Sequence, residues 1–153
     1  NMRYLKTFES LKDHLKPKSK KEILKDLSKL TQEEKDKMLK QISSDDIEEA
    51  KLLLDTGADV HYDNDYALRY ASKEGYIDQV KLLLDYGADV HADKDYSLRM
   101  AVYFEYIETI KVLLDAGADI HVHNDFPLRY ASMKKNKHIF DLLIDAGADP
   151  SIL

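Results

Sequence analysis

A short phrase that returns every 30 residues limits what this chain can fold into. Gly57-Ala58-Asp59, Gly87-Ala88-Asp89, Gly117-Ala118-Asp119 and Gly147-Ala148-Asp149 share that spacing. Each follows a similar apolar run: Leu52-Leu53-Leu54-Asp55, Leu82-Leu83-Leu84-Asp85, Val112-Leu113-Leu114-Asp115 and Leu142-Leu143-Ile144-Asp145. A third echo lies midway, in Tyr66-Ala67-Leu68-Arg69-Tyr70-Ala71, Tyr96-Ser97-Leu98-Arg99-Met100-Ala101 and Phe126-Pro127-Leu128-Arg129-Tyr130-Ala131. Self-similarity at this period marks stacked units, none of which buries its apolar face alone. A stack of this kind presents a long modular surface rather than a reaction pocket, so binding is expected before catalysis.

Within one period the residues predict two helices. Leu68 and Ala71 turn inward on the first, and alanine there permits close approach of the next unit. Ile77, Val80, Leu83 and Leu84 form the core-facing stripe of the second. Gly87 ends it, because glycine enters the left-handed region without steric cost. Val90-His91-Ala92 reads as a short extended link. The expected fold is all-α, a solenoid of helix-turn-helix units in four copies: about 31–60, 61–90, 91–120 and 121–153. Residues 2–30 lack the phrase and read as a helical N-terminal extension. Leu5, Phe8, Leu11 and Leu15 line one helical stripe that Pro17 ends. Ser19 with Glu22, and Thr31 with Glu34, read as capping boxes. Ile23, Leu24, Leu27 and Leu30 supply the next apolar face; helices are expected over about 32–42 and 47–54. Asn1 before Met2 reads as a cloning remnant.

The 153 residues carry no Cys, which excludes disulfides, thiolate catalysis and Cys-based zinc sites. That fits a cytoplasmic setting, the expected localisation. No apolar stretch reaches the roughly 20 residues of a membrane helix, so no membrane association is expected. Net charge is −6, unevenly spread. Residues 1–40 carry 12 Lys and Arg against 7 Asp and Glu, and residues 41–153 carry 11 against 22. An array this acidic would repel phosphate backbones, so direct nucleic-acid binding is not expected.

These phrases resemble ankyrin repeats. Val80-Lys81-Leu82-Leu83-Leu84-Asp85-Tyr86-Gly87-Ala88-Asp89-Val90-His91 is similar to the family's second helix and glycine turn. The family's usual period is 33 residues, and its first helix opens with Thr-Pro-Leu-His. Here the tetrapeptide is Tyr66-Ala67-Leu68-Arg69 or its echoes, and the missing residues fall in the finger before the first helix. With the threonine cap gone, Asp65, Asp95 and Asp125 are expected to accept the first N–H groups of their helices. This shortened form is similar to ankyrin proteins of giant viruses and phages, and Met2–Glu9 looks like the opening of phage-encoded proteins. The resemblance implies a non-enzymatic protein-interaction module that binds and inhibits a host defence protein. A basic surface on a nuclease or helicase would suit an acidic concave face. The other reading is a scaffolding subunit that oligomerises through its N-terminal helices, as against a monomeric binder.

His61, His91 and His121, with His123 nearby, make a poor metal site. Equivalent positions in adjacent units stand on the order of 8–10 Å apart, while zinc holds its nitrogens at roughly 2 Å. Hydrogen bonds between neighbouring turns are the expected role. Arg69, Arg99 and Arg129 form a second row, expected to bridge to nearby acids, with phosphate or carboxylate recognition as the alternative. No phosphate loop, catalytic triad or cofactor motif is present in the sequence.

Residues that break the repeat are better candidates for binding, since stacking does not require them. Unit two closes its first helix with Lys73-Glu74-Gly75, and unit three with Tyr103-Phe104-Glu105. The resemblance places the first two positions on the concave, partner-facing side. Met100 and Met133 lie nearby, Tyr70 and Tyr130 stand in register with Met100, and Arg99 adjoins them. The partner-binding set is therefore Tyr103, Phe104, Met100, Met133, Tyr70, Tyr130 and Arg99. The alternative for Phe104 is filling of the groove between units.

Overall fold

The computed structural model describes residues 20–44 and 46–153. The helix expected through Leu5, Phe8, Leu11 and Leu15, its end at Pro17, and Ser19 lie outside the described residues. Nine α-helices follow among those described: α1 (Lys20–Leu27), α2 (Gln32–Gln41), α3 (Ile47–Asp55), α4 (Tyr62–Glu74), α5 (Ile77–Asp85), α6 (Ala92–Tyr103), α7 (Ile107–Asp115), α8 (Val122–Lys134) and α9 (Lys137–Asp145). A short 3₁₀ turn, Pro150–Ile152, ends the chain. No described helix is long and apolar enough to cross a membrane.

The hairpins α2/α3, α4/α5, α6/α7 and α8/α9 are the four units. First helices pack on first helices and second on second. Leu68, Leu98, Leu128, Leu113 and Leu143 are fully buried, and Ala71, Ala101 and Ala131 let neighbouring first helices approach. Thr31 opens α2 with the expected capping box: its Oγ1 accepts from Glu34 N, and Glu34 accepts from Thr31 N at 2.9 Å. Leu27 of α1 is buried, with Ile23, Leu24 and Leu30 half-buried against the same core. Gly87 ends α5 at φ 88°.

The link before each first helix is not extended. His61 and His91 have φ −86° with ψ near zero, a turn. After it come three consecutive left-handed residues: Asp63, Asn64 and Asp65 at φ 54, 57 and 53°. Asp93-Lys94-Asp95 and His123-Asn124-Asp125 repeat the geometry. Right-handed helix therefore resumes at Tyr66, Tyr96 and Phe126, which leaves Pro127 in a first turn where its missing N–H does no harm. Left-handed L-residues cost roughly 1–2 kcal/mol each, so something must hold the triplet.

The arginine row holds it. Arg99 Nε donates to Lys94 O and Nη2 to Asp93 O, both at 3.0 Å. Arg69 does the same to Asn64 O and Asp63 O at 2.8 and 2.9 Å. Arg129 donates to Asn124 O and, in place of the second turn carbonyl, to Ile152 O, both at 3.0 Å. The guanidinium fork suits two adjacent carbonyls in a way that the family's histidine cannot match. Backbone carbonyls rather than carboxylates are thus the main partners; among the described residues, Arg69 adds an acid, Asp93, at 3.8 Å.

Asp65 and Asp95, expected to cap their first helices, reach instead from their own turn to the next, while Asp125 meets His121 within its own turn. Asp65 Oδ1 accepts from Asp89 N at 2.8 Å, and Asp95 Oδ1 from Asp119 N at 2.8 Å. Each also meets the histidine of its own turn, His61 or His91, at 3.0 Å. In unit one Asp36 accepts from Asp59 N at 2.6 Å, with Gln32 in the histidine's place at 2.8 Å. The imidazoles therefore bind within their own turn, and the carboxylate carries the link to the next. Asp59, Asp89 and Asp119 in turn accept from the backbone N–H of the histidine two residues on. The result is one carboxylate ladder along the stack.

Among the described residues, two buried hydroxyls, Ser72 Oγ and Ser97 Oγ, have no hydrogen-bond partner. Val102 stands in place of Ser72, and Ala67 and Pro127 in place of Ser97, so stacking needs neither hydroxyl.

Candidate protein-binding edge

Tyr103 closes α6 and Phe104 caps it, its N–H donating to Met100 O at 2.9 Å. Glu105 then turns left-handed at φ 63°, where unit two has Gly75 and unit four Lys135. The break leaves two adjacent rings outside, Tyr103 at 49% and Phe104 at 41% exposure. They meet edge to face, centroids 5.0 Å apart. Tyr130 of the next unit lies 5.3 Å from Tyr103, and its hydroxyl donates to Tyr103 O at 3.3 Å. Phe126 sits 5.4 Å beyond Tyr130, and Tyr106 stacks 6.0 Å from Phe104. A Cβ at Gly75 would stand 3.0 Å from the Tyr106 ring, so glycine lets this ring settle on unit two. Five rings thus run from Phe126 to Tyr106 across the unit boundaries.

Met133 is 68% exposed, one turn beyond Tyr130, and half-buried Met100 lies one turn before Tyr103. The guanidinium of Arg99 is engaged by the Lys94 and Asp93 carbonyls and lies 5.4 Å from the Tyr96 ring. Tyr70 belongs to a separate cluster, 5.9 Å from Tyr66 and 6.2 Å from Tyr76, with Lys40 over Tyr66. The structure therefore groups Tyr103, Phe104 and Tyr130, sets Met133 and Met100 one helical turn away, and leaves Tyr70 apart. Sequence reasoning missed Tyr106 and Phe126. Both occupy positions that are aromatic in another unit, Tyr76 and Tyr66, and so looked like ordinary repeat residues.

The acidity of the array is concentrated on the turns and second helices. From the end of each left-handed triplet through the closing residue, 66–75, 96–105 and 126–135, the first helices carry Arg69, Lys73, Arg99, Arg129, Lys134 and Lys135 against Glu74 and Glu105. That is +4, while the rest of residues 41–153 carries 5 bases against 20 acids, or −15.

At the last turn, His121 Nδ1 meets Asp125 Oδ1 at 2.6 Å. That hydrogen bond lifts the imidazole pKa above its ordinary 6.5; partial burial opposes the rise, and the Asp125, Asp119 and Asp149 charges add to it. A raised folded value means that this contact stabilises the fourth unit fully below about pH 6.5 and is lost as pH climbs through the folded midpoint. An NMR titration should place the His121 midpoint above 6.5, and Asp125→Asn should bring it back down.

Helical hairpins stacked by a carboxylate ladder, with ring-lined tips, define a repeat module that works by surface contact. The family model described as ankyrin repeats in three copies matches residues 9–94 and again 71–152. The chain belongs to the ankyrin-repeat family, a class of protein–protein interaction modules. No curated protein matches the chain. The family match speaks for protein partners; it carries no virus, phage, host target or inhibitory action.

Proposed function

We propose that this chain is a non-enzymatic binding module that seats a protein partner on the first-helix edge of units three and four, anchored by Tyr103 and Phe104. One observation carries the reading: two adjacent, half-exposed rings stand where unit two has Lys73 and Glu74. Exposed rings at a tip mark interaction surfaces, and buried aromatic anchors dominate interface energy. Met133, Tyr130 and Met100 extend the apolar surface, Arg99 borders it, and Tyr70 offers a second foothold on unit two. Such a module acts by covering part of its partner; if the chain is viral or phage-borne, the covered surface belongs to a host defence protein.

The test is the double variant Tyr103→Lys, Phe104→Glu, which installs the residues of unit two. Its melting should stay within about 1 kcal/mol of the parent, while capture of the partner weakens by about 2 kcal/mol or more. Early unfolding would make the rings part of the core; normal folding with normal capture would move recognition elsewhere.

A further inference from the structure

Unit four breaks the repeat as sharply as unit three does, and with charge instead of rings. Met133 is followed by Lys134, Lys135, Asn136, Lys137 and His138. The corresponding stretches of the other units, Glu74-Gly75-Tyr76-Ile77-Asp78 and Phe104-Glu105-Tyr106-Ile107-Glu108, hold no Lys or Arg. Stacking therefore does not require the lysines. Lys134 Nζ stands 5.5 Å from the Tyr130 ring, the ring that bridges to Tyr103. Lys137 pairs with Asp141 at 2.6 Å. Lys135 is exposed, with no acidic partner among the described residues, on a left-handed residue where glycine would be easier. With Lys137, its partner Asp141, Asn136, Ala131 and Phe140 it borders an open cleft of about 310 Å³.

The geometry points to an acidic peptide segment carrying a large apolar side chain as the occupant of this edge. The inference rests on the docking edge proposed above and names its partner's chemistry. The apolar side chain covers Tyr103, Phe104, Tyr130 and Met133, and carboxylates to one side meet Lys134, Lys135 and Lys137. A basic segment would meet Lys134, Lys135 and Lys137 in place of an acid. Rim charges of one sign steer the opposite sign and reject their own, which sets register and specificity. Aromatics beside lysines also suit single-stranded nucleic acid. Yet such a strand tracks a long basic groove, whereas these lysines form one short cluster on a chain of net −6, which favours the peptide.

The test uses the full chain and four probes followed by NMR shift changes: a Glu/Asp peptide around a Trp-Leu pair, the same peptide with Lys for its acids, the same with Ala for Trp-Leu, and oligo-dT. The acidic Trp-Leu peptide should bind tightest, by about tenfold over each of the others, with shifts at residues 103–106 and 130–137. Lys134→Glu, Lys135→Glu and Lys137→Glu together should weaken it by about tenfold. Should that variant melt early, Lys135→Glu alone, at the unpaired exposed residue, takes its place and should weaken binding about threefold. Equal binding of the charge-reversed peptide, tighter binding of oligo-dT, indifference to the lysine changes, or no binding by about 1 mM peptide overturns the inference. The two proposals fail separately. A natural partner lost from the Tyr103/Phe104 variant but kept by the lysine variants leaves the docking edge standing without the acidic segment.

Discussion

Leu113→Ala should lower the stability of the array by about 2–5 kcal/mol in a denaturant titration. Leu113 is fully buried in α7 with a unit on either side, so its removal leaves a cavity that no neighbour can readily fill. Leu143→Ala should cost a similar amount, although its unit is the last. Leu143 is as deeply buried as Leu113, and the end of the chain folds back over the fourth unit, where Ile152 O receives Arg129. A Leu143 loss well below the Leu113 loss would show that the fourth unit opens on its own before the rest.

Deleting residues 2–30 should have the largest effect of all. Leu27 is buried, and Ile23, Leu24 and Leu30 lean on the same core. Fully burying such a side chain contributes about 1.5–3 kcal/mol, so one buried and three half-buried ones amount to about 5 kcal/mol. The truncated chain should melt about 10–20 °C lower, or aggregate through the uncovered face of unit one. An unchanged melting temperature would reassign the segment to an appended interaction arm. Light scattering on the full chain adds a second readout: a stable dimer that the deletion abolishes would favour assembly through these helices.

The parts of the fold legible in the sequence are those that depend on periodicity. Val80, Leu83 and Leu113 repeat because a core position recurs with every unit, and Gly87 recurs because its φ of 88° suits no other residue as well. The left-handed triplets were not legible. Asp63-Asn64-Asp65, Asp93-Lys94-Asp95 and His123-Asn124-Asp125 share no glycine, and their conformation is imposed from outside by an arginine six residues on from the first of them. For the same reason the sequence points the arginines at carboxylates: charge is visible in a sequence, whereas a pair of exposed backbone carbonyls is not. The edge was half legible. Tyr103 and Phe104 stood out because they violate the repeat, while Tyr106 and Phe126 obey it and became visible only once their rings were found in line.

The carboxylate ladder has a consequence for how such a chain changes length. Asp65 and Asp95 each reach a backbone N–H 24 residues on, and every interior unit offers the same acceptor at its start and the same donor at its end. A tandem copy of residues 91–120 would bring both halves of its own rung, the Asp95 carboxylate and the Asp119 N–H, so the gene can grow or shrink by whole units without inventing an interface. Insertions of other sizes inside a rung would strand one carboxylate and one N–H. The helix tips around residues 103–106 and 133–137 stand clear of the ladder. New recognition sequences can be written there, and array length edited beneath them, as two separate histories.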